Sequence, residues 1–197
     1  MKFKLFILAL ATGLVLAACH NKDTVDTPMT TIDTFSHTGD SAASVPSGDM
    51  GQAHMEDSAF LAEASQTGVF EIEAGKLAEK NSQNADVKAF AKMMIDQHTA
   101  MGKDVSDMAG TKGITLPAGM GDDNKKEWDK LNDLKGAKFD KEYVSVNVDG
   151  HRKAIDLFDK TSKNEADSKE VRDLAATGLP KLQTHQEHAK SLKDKLK

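Results

Sequence analysis

The chain has 197 residues, enough for one domain with extensions, and carries 26 Lys and Arg against 31 Asp and Glu. An acidic chain without a basic run excludes a nucleic-acid-binding role, because neutralising phosphates needs clustered lysine or arginine. The one cysteine, Cys19, excludes an internal disulfide and a cysteine metal cage, and aromatics at 5% predict a core of Ala, Leu, Val and Met.

Residues 1–18 read as a signal peptide. Lys2 and Lys4 form a basic start, and the apolar run from Leu5 to Leu16 is too short to cross a bilayer. Leu16-Ala17-Ala18-Cys19 has the pattern of a bacterial lipobox, which predicts a lipidated Cys19 as the mature amino terminus. Acyl chains there would hold the protein to the cell envelope. His20 follows, not the aspartate that retains lipoproteins at the inner membrane, so the outer membrane of a Gram-negative cell is the expected address. Residues 19–56 then read as a disordered tether, rich in Ser, Thr, Asp and Gly and without apolar period.

Residues 57–197 carry helical periodicity and no strand-length alternation, which predicts an all-α fold. The first helix spans about Asp57 to Lys80, with Asp57 or Ser58 as its cap and Phe60, Ala64, Thr67, Glu71, Ala74 and Ala78 on its inner stripe. Asn81 to Asn84 form a short turn, so the second helix, about Ala85 to Ala109, returns antiparallel. Its stripe holds Val87, Ala91, Met94, Met101 and Val105, with His98 at the centre. A glycine-rich connection runs from Gly110 to Asp122, and Asp122 to Lys135 make a short helical lead-in. The third helix spans about Ala137 to Lys163 and the fourth runs from about Ser168 to the end.

Each helix places one ionisable residue on or beside its apolar stripe: Glu71, His98, His151 and His185. Suppose the connection crosses the bundle lengthwise, leaving the second and third helices parallel. At a rise of about 1.5 Å per residue, the four residues then lie within roughly 5 Å of one level.

Several segments resemble a bacterial family of unknown function, DUF 4142, described as outer-membrane or exported proteins. They are Glu71-Ile72-Glu73-Ala74-Gly75-Lys76-Leu77-Ala78, Met94-Ile95-Asp96-Gln97-His98, Asp149-Gly150-His151-Arg152-Lys153-Ala154 and Leu179-Pro180-Lys181-Leu182-Gln183-Thr184-His185. The resemblance implies a ferritin-like four-helix bundle with one long crossover between helices two and three. It implies no activity.

Ferritin-like di-iron sites need Glu-x-x-His pairs. Ile95, Val148 and Leu182 stand where those glutamates would be, so the carboxylates to balance two iron ions are missing. A mononuclear site of Glu71, His98, His151 and His185 suits Zn²⁺, Cu²⁺ or Fe²⁺. Met94, His98 and Met101 on one face offer a softer set for Cu(I), and His188, one turn beyond His185, could join either. A buried Glu–His network without metal would also satisfy these groups, and from sequence it is the favoured reading. No nucleophile–base pair and no phosphate loop is present, which points away from an enzyme. The expected role is a structural or stress-related envelope module. The rivals are a periplasmic metal-binding protein and a carboxylate–histidine redox enzyme.

Overall fold

The computed structural model describes residues 47–197. The signal peptide, Cys19 and the tether up to residue 46 lie outside the described residues. The fold is all-α: α1 (Ser47–Asn81), α2 (Ala85–Lys112), α3 (Asp122–Asn132), α4 (Gly136–Lys163) and α5 (Lys169–Lys195). No described helix is long and apolar enough to cross a membrane.

Four long helices make the bundle, and the ends of each can be paired through side chains. At one end Lys112 of α2 reaches Ser168 at 2.6 Å and Glu170 at 2.9 Å, and Asp57 of α1 accepts the Ser168 N–H at 2.9 Å. At the other end Asn81 of α1 meets Leu134 and Lys135, and Lys195 of α5 meets Asp86 of α2. So α2 finishes at the end opposite to where α4 begins. The connection therefore crosses the bundle lengthwise, and α2 and α4 run parallel. The expected crossover is present, but α3 supplies part of the path instead of bare chain. Leu131 of α3 is fully buried, and Trp128 and Leu134 pack beside it, so the short helix straps onto the bundle by its apolar edge.

One expected boundary is corrected. The first helix begins at Ser47, ten residues before Asp57, so it takes in residues 47–56, which composition assigned to the tether. Residues 52–56, mostly exposed, show no apolar period to betray a helix. Extending an existing helix gains a hydrogen bond per residue without a new nucleus. Asp57 is therefore not the cap of α1. It is buried at 2% exposure and instead takes up a free backbone N–H at the start of α5. The cap of α2 falls where the turn predicts it, with Asn84 Oδ1 accepting from Asp86 and Val87 N–H. The same helix closes on Gly113 at φ 66°, a left-handed position that glycine adopts without strain.

The core falls into two apolar clusters. One, toward the Asn81 end, holds Phe70, Leu77, Phe90, Met94, Phe139 and Tyr143. The other, toward the Lys112 end, holds Phe60, Leu61, Met101, Val105, Phe158 and Leu182. Each long helix places a buried polar residue between them: Glu71, His98, Asn147 and His151, and His185; Asp57, Asn81, Asp140 and Thr161 are buried nearer the helix ends.

Helix-interior glycines divide by what surrounds them. A Cβ on Gly75 would lie 2.8 Å from Ile95, and one on Gly178 would lie 2.7 Å from the Phe158 ring, so these two permit close packing. Gly68 and Gly102 face open space instead, with nothing within 4 Å of a Cβ. Each costs about 1 kcal/mol against alanine in a helix interior, and packing does not account for them.

Candidate metal centre

The polar layer is built from residues that helical period puts on inward faces, and the parallel crossover brings them to one depth. His98, His151 and His185 each place a ring nitrogen within 4.8 Å of the others, and all three are buried. Their ring centroids are 5.1 to 5.6 Å apart. The three buried histidines can hold a metal ion.

Hydrogen bonds fix much of their protonation. His151 Nδ1 lies 2.9 Å from the backbone oxygen of Asn147, which can only accept, so Nδ1 carries the proton. Burial holds the His151 ring down at about 4, so it is neutral at pH 7 and its Nε2 is a bare lone pair. That lone pair faces His185 Nδ1 at 3.2 Å. His185, lowered to about 4 by burial and then by the neighbouring His151, His188 and Lys181, is neutral too. Its Nε2 lies 2.8 Å from Gln97 Oε1. With the amide in that orientation Nε2–H donates to Gln97, and Nδ1 is a second lone pair facing the first. If instead Gln97 turns its NH₂ inward, His185 Nδ1–H donates to His151 and no pair is left free. His98 is held well below the usual histidine range, by burial first and then by the other two rings. Neutral imidazole is the form that ligates metal.

Glu71 Oε1 stands 3.7 Å from His151 Nδ1. This is no ion pair at neutral pH, because burial pushes the Glu71 carboxyl up to about 8 while His151 is unprotonated. Glu71 flanks the nitrogen that His151 gives to Asn147, not the nitrogen that faces His185. The layer also holds buried polar atoms with no hydrogen-bond partner: Glu71 Oε2, His98 Nε2, Tyr143 OH and Asn147 Oδ1. Buried polar atoms are seldom left so, and an ion or a water would account for them.

The remaining sequence candidates are placed as follows. Met94 is buried in the apolar cluster toward Asn81, and Met101 in the other. They lie on opposite sides of the layer and read as packing. His188 is exposed. Sequence reasoning missed Gln97 and Asn147 as partners of the histidines. Gln97 precedes His98 yet serves His185 on another helix, and nothing in a linear pattern signals that. Asn147 acts through its backbone oxygen, one turn before His151.

A cleft of about 670 Å³ leads from the surface to this layer. Glu71, His98 and His151 form its floor, α1 and α4 its walls, and Asp123, Asn124 and Glu127 of α3 part of its rim.

A crystal structure of a DUF305 fragment from Deinococcus radiodurans shares the fold, with a TM-score of 0.62 at 13% identity over 71% of this chain and 96% of that one. No curated protein matches the chain. Residues 42–192 match the family model described as Domain of unknown function (DUF4142), and the chain belongs to that family.

Proposed function

We propose that the bundle is an envelope-anchored metal-binding module that holds one divalent transition-metal ion through His98, His151 and His185. The observation that carries this reading is the facing pair His151 Nε2 and His185 Nδ1 at 3.2 Å, with each ring's other nitrogen already committed to Asn147 or Gln97. Ligating histidines commonly use their second nitrogen in this way. A tetrahedral ion with nitrogen bonds of about 2.0–2.1 Å holds two nitrogens about 3.3 Å apart. The widest nitrogen separation in the cluster, up to 4.8 Å, exceeds that, so binding draws the rings together. Imidazole-only ligation suits Zn²⁺ or Cu²⁺ more than the harder Mg²⁺ or Ca²⁺. The lipobox ending in Cys19 supports tethering to the envelope, with the bundle in the periplasm or at the surface.

Metal analysis of protein purified without chelator tests the reading. Near-stoichiometric zinc or copper that is absent from His98→Ala supports it. A parent protein that neither retains nor takes up these ions overturns it.

A metal-free polar layer is the second reading, favoured by the alternative Gln97 orientation that satisfies His151 and His185 without an ion. It leaves His98 Nε2 and Glu71 Oε2 unpaired. The redox reading has only Glu71 as a carboxylate in the layer, and burial keeps that group neutral.

A further inference from the structure

We propose that the cleft above the histidine layer is a binding site for a small organic cation, an ammonium joined to an apolar body. The inference stands apart from metal binding, because the rim and walls, not the ring nitrogens, carry it.

The rim is acidic and much of that charge is unpaired. Glu63, Glu142 and Asp149 line the cleft and make no ion pair among the described residues, while Asp123 and Glu127 are held by Lys126 and Lys130. Among the described residues, Lys153 is the only cation on the lining. Such a mouth concentrates cations and repels anions. The floor supplies an independent sign of a ligand. Glu71, at 1% exposure, lines the cleft, and its Oε2 has no partner.

The walls decide what kind of cation. Phe70, Met101, Val146, Leu157, Phe158 and Leu182 line the cleft below the rim. A bare hydrated ion would lose water there and gain nothing in return. A hydrocarbon body gains from the same surface. The volume, about 670 Å³, is that of a small-molecule pocket and far larger than one hydrated ion needs.

The unexplained glycines point the same way. Gly68 and Gly102 lie inside α1 and α2, both line the cleft, and a Cβ on either would enter open space. Gly51 and Gly110 are open as well, but both are exposed on the outer surface. The two glycines therefore keep side chains out of the cleft, at a cost to helix stability.

Calorimetric titration of the chelator-treated full chain at low salt tests this with three probes: phenethylammonium, methylammonium and 3-phenylpropanoate. Phenethylammonium is expected to bind, and the other two to bind more weakly by about tenfold or more. Glu142→Gln with Asp149→Asn should weaken phenethylammonium by about tenfold, and added salt should reduce the difference. Gly102→Leu should abolish binding, and Gly68→Phe serves as a second block should the first variant unfold. The proposal is overturned by any of three results: no heat with phenethylammonium at millimolar concentration, equal binding of 3-phenylpropanoate or methylammonium, or unchanged binding in a folded blocking variant. Zinc titration of the same samples reads the histidines separately, so loss of one site is distinguishable from loss of the other.

Discussion

Glu71→Gln isolates the electrostatics of the buried layer in metal-free protein. In the folded chain the Glu71 carboxyl is raised from its ordinary 4.5 to about 8 by burial. Between those values the folded state holds a proton that the unfolded state has released. Stability from this group is therefore full below pH 4.5 and is lost as pH rises toward 8, by about 1.4 kcal/mol per pH unit. The histidines act with the opposite sign. His151 and His185 fall from 6.5 to about 4, and His98 also falls well below 6.5. Their contribution is full above pH 6.5 and is lost as pH falls toward 4. Near pH 5 the unfolded chain binds about two more protons than the folded one, counting three histidines against one glutamate, so stability there climbs with pH. At pH 6.5 the three unfolded histidines are still half protonated, so the two limbs overlap there; above about pH 7 Glu71 dominates, and its own contribution falls by about 2 kcal/mol between pH 6.5 and 8. The parent should thus be most stable near pH 7. Glutamine keeps the volume and never ionises, so Glu71→Gln should keep the rising limb and lose the falling one. Urea denaturation followed by circular dichroism resolves this, since a change of about 2 kcal/mol in the parent–variant difference moves their midpoints by about 1 M relative to each other at typical slopes. Midpoints of parent and variant that keep a constant separation from pH 6.5 to 8 would refute the reasoning.

Other variants probe the remaining geometry. Gln97→Leu should weaken zinc binding by about tenfold without changing its stoichiometry, because His185 loses the acceptor that fixes its tautomer; competition with a chromophoric chelator measures this. His188→Ala should leave zinc affinity unchanged, since that ring is exposed outside the layer. Gly178→Ala should destabilise by about 1–3 kcal/mol, because the new methyl meets the Phe158 ring at 2.7 Å. Gly102→Ala, facing open space, should stabilise by about 0.5–1 kcal/mol, and paired urea midpoints compare the two. Asp57→Ala should cost about 1–3 kcal/mol through the Ser168 N–H left without its acceptor and the lost pairing with Lys112, which keeps Glu170, read as a lower melting temperature.

The helices were legible in the sequence wherever one face is buried. Val87, Ala91, Met94, Met101 and Val105 recur at helical period because α2 packs that face, and all five are buried. Where burial is absent the pattern fails, as in residues 51–56 of α1, which are mostly exposed. The sequence also singled out His98, His151 and His185, because a polar side chain on an apolar stripe breaks the period. It could place them at one depth only by assuming a lengthwise connection. That depth follows from a direction, and helix direction is set by what α3 packs against rather than by any local pattern. Periodicity by itself determined the all-α class, the inward histidines and, through the lipobox, an expected membrane anchor. Tertiary structure alone decided that Gln97 and Asn147 orient the rings, that Met94 and Met101 part to opposite clusters, and that an acid-rimmed cleft opens onto His98. These depend on which residues of different helices meet, and contacts between distant segments leave no trace in the spacing of either one.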